Sequence, residues 1–250
     1  VPYIAEFWNT ITNLIFLFLS GYGMVNIFQS DLERRFLLQY ASLFLIGLGS
    51  WLFHMTLVFE MQMLDELPML YCTCVLIYNL LEMHRRNMYG MWLKLFLVVD
   101  AVGLTAAYLR NKNPLFHQVT YGLQTTFILI QSIRLTTSLS KATKQQVYTA
   151  RYVLSRGWMM YIVGFVFWVI DNHYCMELRE WRQSMGAGGV MLQFHGWWHV
   201  LTGLGSYWIM VFIEYMRKLK IEDDDYTLVF RLGGLVPSVM PVLRELNKLD

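Results

Sequence analysis

The chain has 250 residues, 56% of them hydrophobic and only 15% charged, with a mean hydropathy of +0.39. A net charge of +2 is too small to point to a nucleic-acid partner. A water-soluble domain of this length gathers its apolar residues into one core and does not carry long uncharged runs from end to end, so the composition excludes that class.

About 20 apolar residues cross the ~30 Å hydrocarbon layer as a helix. Such runs lie at about 7–28, 37–59, 64–83, 91–109, 115–135, 153–172 and 190–214. They predict an all-α, seven-transmembrane helix bundle over residues 1–216, with short connections that make neighbours antiparallel. The chain starts at Val1 rather than at methionine, so residues are expected to precede the first helix. That helix opens on "YIAEFWNT", and the second carries Ser50 and His54 in "GLGSWLFH". The third begins at "LDELP", with Asp65, and contains Cys72 and Cys74, which read as buried apolar fillers. Asp100 in the fourth reads as a hydrogen-bonded partner or as part of an ion path. His84, His117 and His173 fall at helix boundaries and read as solvated side chains, and Cys175 lies at the end of the sixth helix. The seventh contains "QFHGWWHVLTGLGSY", with His195 and His199 between tryptophans that read as packing or lipid-facing residues. Gly47, Gly49, Gly203 and Gly205 read as points of close helix approach. The tail, 217–250, has a basic patch (Arg217, Lys218, Lys220), the acidic run "EDDD", and "YTLVFRLGGLVPSVM", expected either to lie along the membrane surface or to be unstructured.

Loop charge sets the orientation. Arg34, Arg35, Arg85, Arg86, Lys141, Lys144 and Arg151 lie on one side with the basic patch of the tail, against Arg110, Lys112, Arg179 and Arg182 on the other. The N-terminus is therefore expected to be lumenal or extracellular and the C-terminus cytosolic. On that topology Ser50, His54, Asp65, His195 and His199 share the outer half of the bilayer. Ionisable groups there are costly and mark function by default.

His195 and His199 are four residues apart, on one helical face, where two imidazoles can hold one divalent metal. His54 supplies a third imidazole at matching depth, and Ser50, four residues before it, faces the same cavity. Three histidines and one open position describe a catalytic rather than a structural zinc. A single intramembrane histidine is more often a hydrogen-bonded packing residue, so the reading rests on all three together.

The strings "YIAEFWNT", "GLGSWLFHMTL", "MLDELPM", "FHQVTYG", "FWVIDN" and "QFHGWWHVLTGLGSY" closely resemble those of the alkaline ceramidases. These are seven-helix amidases of the endoplasmic reticulum, Golgi and plasma membrane, in a superfamily with the adiponectin and progestin receptors. The resemblance covers the chain through the seventh helix. It implies that His54, His195 and His199 hold Zn2+, with Ser50 and Asp65 beside the metal-bound water. It also implies a Ca2+ site using Glu6 and an acidic segment ahead of the first helix, and a disulfide at Cys175. Of that calcium set the present sequence holds only Glu6, so little or no calcium dependence is expected.

The expected reaction is hydrolysis of ceramide to sphingosine and a free fatty acid by a zinc-activated water. Asp65 would take the proton of that water and return it to the leaving amine, and Ser50 would donate a hydrogen bond to the developing oxyanion. Two other classes compete. A lipid-signalling receptor of the same superfamily fits the metal pattern, but the ceramidase-type strings oppose it. A metal or proton transporter would spread polar groups through the full depth of the membrane, whereas here they collect on one side, Asp100 excepted. Acyl-chain preference, oligomeric state and protein partners are not encoded in any motif.

Overall fold

The first predicted span is broken in two. In the computed structural model, which describes residues 3–84 and 87–242, α1 (Phe7–Thr12) and α2 (Leu14–Gln29) meet at Asn13. The Asn13 side-chain amide donates to the Asn9 carbonyl at 2.9 Å. That carbonyl is the one an unbroken helix would offer to the Asn13 backbone N–H, so the side chain competes with the ladder and turns the chain. Val1 and two of the loop arginines, Arg85 and Arg86, lie outside the described residues.

The other predicted spans are continuous helices with shifted ends. They are α3 (Leu37–Thr56), α4 (Phe59–Leu81), α5 (Gly90–Asn111), α6 (Pro114–Thr137), α7 (Lys144–His173) and α9 (Phe194–Lys220). Left-handed Leu57, at φ 55°, stops α3 short of the predicted end. The "EMQM" stretch, which lies between the second and third predicted spans, belongs to the first part of α4. Pro114 opens α6, where the Asn113 side chain accepts from the Leu115 backbone N–H at 3.0 Å. A capping box of Thr143 and Gln146 starts α7 well before the predicted position 153. Between α7 and α9 lie a short helix, α8 (Cys175–Ser184), and a 3₁₀ segment, Gly186–Leu192, where the seventh span was expected to begin. The basic patch of the tail is the last turn of α9, where cations complement the exposed carbonyl ends.

Among the described residues, Phe7–Gln29, Arg34–Thr56, α4, α5 and α7 are long and apolar enough to cross a membrane. Helices α6 and α9, with 24 and 27 residues, are long enough but more polar. Along α5 the apolar side chains face outward, Trp92 and Phe96 being 80% and 66% exposed. A helix apolar on its outer face belongs in lipid. The protein is a multi-pass helical membrane protein.

The four glycines singled out in the sequence all sit at close approaches. A Cβ on Gly205 would lie 2.7 Å from the Gly157 carbonyl oxygen, which brings α7 and α9 together along their length. A Cβ on Gly203 would meet Ile15 at 2.9 Å, and one on Gly47 would press on Phe16. Between α3 and α4 the contact is tighter: a Cβ on Gly49 would overlap the carbonyl oxygen of Leu64. Pro68 lies inside α4 and has no N–H to donate to that carbonyl, so the helix leaves it free. The proline thus opens one face of α4, and the glycine lets α3 settle on it.

The stretch "YTLVFRLGGLVPSVM" is folded rather than unstructured. Residues Tyr226–Arg231 (β1) and Val236–Pro241 (β2) form an antiparallel hairpin in which Val229 is opposite Ser238. Gly233 and Gly234, at φ 65° and 96°, make its turn. Strand β2 is buried against the bundle: Tyr207 donates to the Pro237 carbonyl at 2.7 Å, Trp208 to Leu235 at 2.8 Å, and Asn26 to Val239 at 3.1 Å. Side chains of α2 and α9 therefore occupy carbonyls on and beside the strand, and Pro237 and Pro241 suit its edge position. This cover explains why α9 is buried without interruption from Tyr207 to Lys218.

Candidate metal centre

Three imidazoles converge where α3 ends and α9 begins. His54 is in the last turn of α3, and His195 and His199 are in the first turns of α9. Their ring centroids are 4.8–4.9 Å apart, and their ligand atoms lie within 4.8 Å of one another. The histidines stand closer to the helix ends than the predicted spans placed them, because α3 stops at Thr56 and α9 starts at Phe194. His54 and His199 are nevertheless only 3% exposed.

The outer nitrogens of two rings are already engaged. His54 Nδ1 meets Glu6 Oε2 at 2.6 Å, and His199 Nδ1 meets the Thr12 hydroxyl at 3.0 Å. Because the Thr12 hydroxyl also donates to the Trp8 carbonyl at 2.9 Å, it accepts from His199. Both rings then carry their proton on Nδ1 and turn a bare Nε2 inward, the state in which an imidazole binds a metal. The donor set fits a divalent ion that favours nitrogen, zinc above all.

Glu6, which the resemblance places in a calcium site, stands immediately ahead of the first span. Its Oε2 meets His54 and accepts from the Asn9 amide at 3.0 Å. The hydrogen bond to His54 outweighs the effect of burial and holds the Glu6 carboxyl low, at about 2. It is therefore ionised at every pH near neutrality and fixes the His54 ring. The break at Asn13 matters here, since α1 is the element that brings Glu6, Asn9 and Thr12 over the histidines.

Ser50 lies one turn before His54 on α3, and its hydroxyl faces the Asp65 carboxyl of α4. The Gly49–Leu64 contact sets this pairing, because each partner is the next residue along. Gly49→Ala is expected to cost at least the usual overpacking penalty of about 1–3 kcal/mol. It should lower the thermal unfolding midpoint in detergent and separate Ser50 from Asp65. An unchanged midpoint would show that α3 can shift on α4 freely.

His117 is a correction to the sequence reading. It is 4% exposed rather than solvated: its Nε2 donates to the Glu66 carbonyl at 2.9 Å, and its ring stacks on Tyr121 at 5.9 Å. Tyr108 donates to the Glu66 carboxylate beside it. His84 and His173 are exposed as expected. Asp100 is a hydrogen-bonded partner, accepting from Gln124 at 3.0 Å with Cys74 beside it. Cys72 and Cys74 are buried, and Cys175 is exposed. Trp198 packs against Tyr161, Phe165 and Trp168, while Trp197 donates to the Met191 carbonyl. Above the metal centre a cavity of about 540 Å³ opens at the bundle end, between Glu6, Asn9, Asp171, Arg179, Arg182 and Gln193.

The family model for ceramidases matches residues 1–240. Alkaline ceramidase 3 of Mus musculus is 39% identical over 242 residues, covering 95% of this chain and 86% of its own. Alkaline ceramidase YPC1 of Saccharomyces cerevisiae is 33% identical, covering 92% and 77%. An alkaline ceramidase of Arabidopsis thaliana is 28% identical, covering 86% and 78%. With its buried histidine cluster and a family match along nearly its whole length, the chain belongs to the alkaline ceramidase family of hydrolases.

Proposed function

We propose that this protein hydrolyses the amide bond of ceramide to sphingosine and a free fatty acid at the His54–His195–His199 centre. The observation that carries the reading is the convergence of three imidazoles with Ser50 and Asp65 inside a membrane bundle of this family. His54, His195 and His199 would hold zinc, which when bound supplies Lewis acidity toward a carbonyl and acidifies water. Glu6 and Thr12 hold two of the rings in their ligand tautomer. Asp65 accepts a proton from the attacking water and delivers it to the leaving amine. The Ser50 hydroxyl hydrogen-bonds the oxygen on which charge develops, an interaction worth roughly 3 kcal/mol in comparable sites. The apolar helix walls take the hydrocarbon chains. Purified protein incubated with a ceramide panel should release fatty acid, lose that activity with chelator and regain it with zinc. Zinc-loaded, folded protein that releases none would remove this reading.

Because Glu6 is committed to His54, calcium is expected to have little effect on turnover. A several-fold activation by added calcium, measured against a calcium-buffered control, would show that further carboxylates complete a calcium site around Glu6.

Residues 1–216 form the hydrolase domain in this reading, seven-spanning and oriented with the N-terminus lumenal or extracellular, in the endoplasmic reticulum, the Golgi or the plasma membrane. The 217–250 segment is then cytosolic. The metal centre lies at helix ends on the outer side, near the level of the ceramide amide. In sealed, oriented vesicles, ceramide confined to the lumenal leaflet should be cleaved first. Faster cleavage from the cytosolic leaflet would reverse the orientation.

A further inference from the structure

Two of the three clustered imidazoles are held through their rings, His54 by Glu6 and His199 by Thr12. The His195 ring has no such hydrogen bond among the described residues, and its ring contacts are the other two imidazoles. His195 is also the second residue of α9, in a first turn whose N-cap, Gln193, makes no side-chain cap. The first N–H groups of a helix have no partner within it, and an uncapped end frays. Left to its own helix, His195 would be the loosest of the three.

Another helix supplies the cap. Asp171, in the last turn of α7, turns its carboxyl to the His195 backbone N–H. That amide is one of those a capping side chain serves, and a negative charge suits the positive end of a helix. Arg182 of α8 pairs with Asp171 Oδ1 at 2.7 Å and donates through Nε to the Leu192 carbonyl at 3.2 Å. One guanidinium therefore ties the end of α7 to the chain two residues before α9, a task suited to its planar fork of donors. The Arg182 and Asp171 side chains are only 21% and 17% exposed, so salt screens the pair less than an open surface pair.

The surroundings hold this clamp in place. A Cβ on Gly189 would lie 2.4 Å from the Arg182 carbonyl oxygen, so the 3₁₀ segment rests directly on α8. One turn before Asp171, Phe167 stacks on Phe194 at 5.1 Å, which is the apolar half of the same α7–α9 contact. Both α7 residues belong to "FWVIDN".

We propose that Asp171 and Arg182 are positioning residues of the metal centre, fixing the first turn of α9 and, through its backbone, the third imidazole. The assignment rests on the reading of His54, His195 and His199 as zinc ligands. Groups that orient ligands without touching the metal typically contribute 10–100-fold in metal affinity.

The test measures zinc affinity in detergent by competition with a chelator of known affinity, on protein shown to be folded. Asp171→Ala removes the cap and should weaken zinc binding by about 10–100-fold. Asp171→Asn keeps the size and an acceptor oxygen but loses the charge, and should weaken it severalfold, as should Arg182→Gln. Asp223→Ala breaks the 2.9 Å pair with Lys218 beyond the other end of α9 and should leave zinc affinity at the wild-type value. A clamp that only braces the bundle would lower the unfolding midpoint of the metal-free protein without changing the zinc affinity of its folded form. Wild-type affinity in both folded Asp171→Asn and folded Arg182→Gln would therefore overturn the assignment, whether or not Asp171→Ala folds. Wild-type protein that binds no zinc would instead remove the metal reading, and this assignment with it.

Discussion

Replacing His199 by alanine is expected to leave the protein nearly free of metal and without measurable ceramide hydrolysis. The wild type should carry about one zinc per chain, since a zinc site of this kind needs three protein ligands. His199 is as enclosed as His54, with Phe16 against its ring and Thr12 on its outer nitrogen. Truncation removes one ligand and leaves two imidazoles on different helices to hold the ion. Burial worsens the loss, because an ion short of ligands in this apolar setting has little water to replace them. Elemental analysis of purified protein gives the metal content, and fatty-acid release gives the activity. Full zinc occupancy in His199→Ala would take this residue out of the ligand set.

The three clustered histidines were legible in the sequence because each stands in a long apolar run where a histidine is costly. Their spacing and the antiparallel order of the helices then brought them to one level. The groups that hold these rings in place were not legible in the same way. Thr12 reaches His199 across 187 positions. It does so only because Asn13 breaks the first helix, a one-residue event that hydropathy does not register. Glu6 came into view only through the family resemblance, and its partnership with His54 is a tertiary contact with no local signal. The burial of His117 follows from Glu66 and Tyr121 closing around it, which a boundary position on a hydropathy profile conceals. The hairpin did leave a trace, the Gly-Gly pair between two β-branched runs. Its prolines argue against a strand anywhere except at an edge, and the edge that needed covering belonged to the helices themselves.

Changing Asp65 to asparagine is expected to reduce turnover by about 10²–10⁴-fold while the zinc content stays at the wild-type level. The substitution keeps the size of the side chain and a hydrogen-bonding oxygen toward Ser50, so the α3–α4 contact at Gly49 should survive. What it removes is the capacity to accept a proton from water and return it to nitrogen. Asp65 is on α4, more than a turn inside the helix that begins at Phe59, whereas the histidines are on α3 and α9. Proton transfer and metal binding are therefore supplied by different elements and should separate on mutation. The pH dependence adds a second sign. A group acting as base works only when deprotonated, so its contribution makes activity rise with pH through its titration. In Asp65→Asn that rising limb should disappear from whatever residual activity remains. Retained zinc with near-normal turnover would make Asp65 a structural partner of Ser50, and loss of zinc would mean that the carboxyl helps to hold the metal.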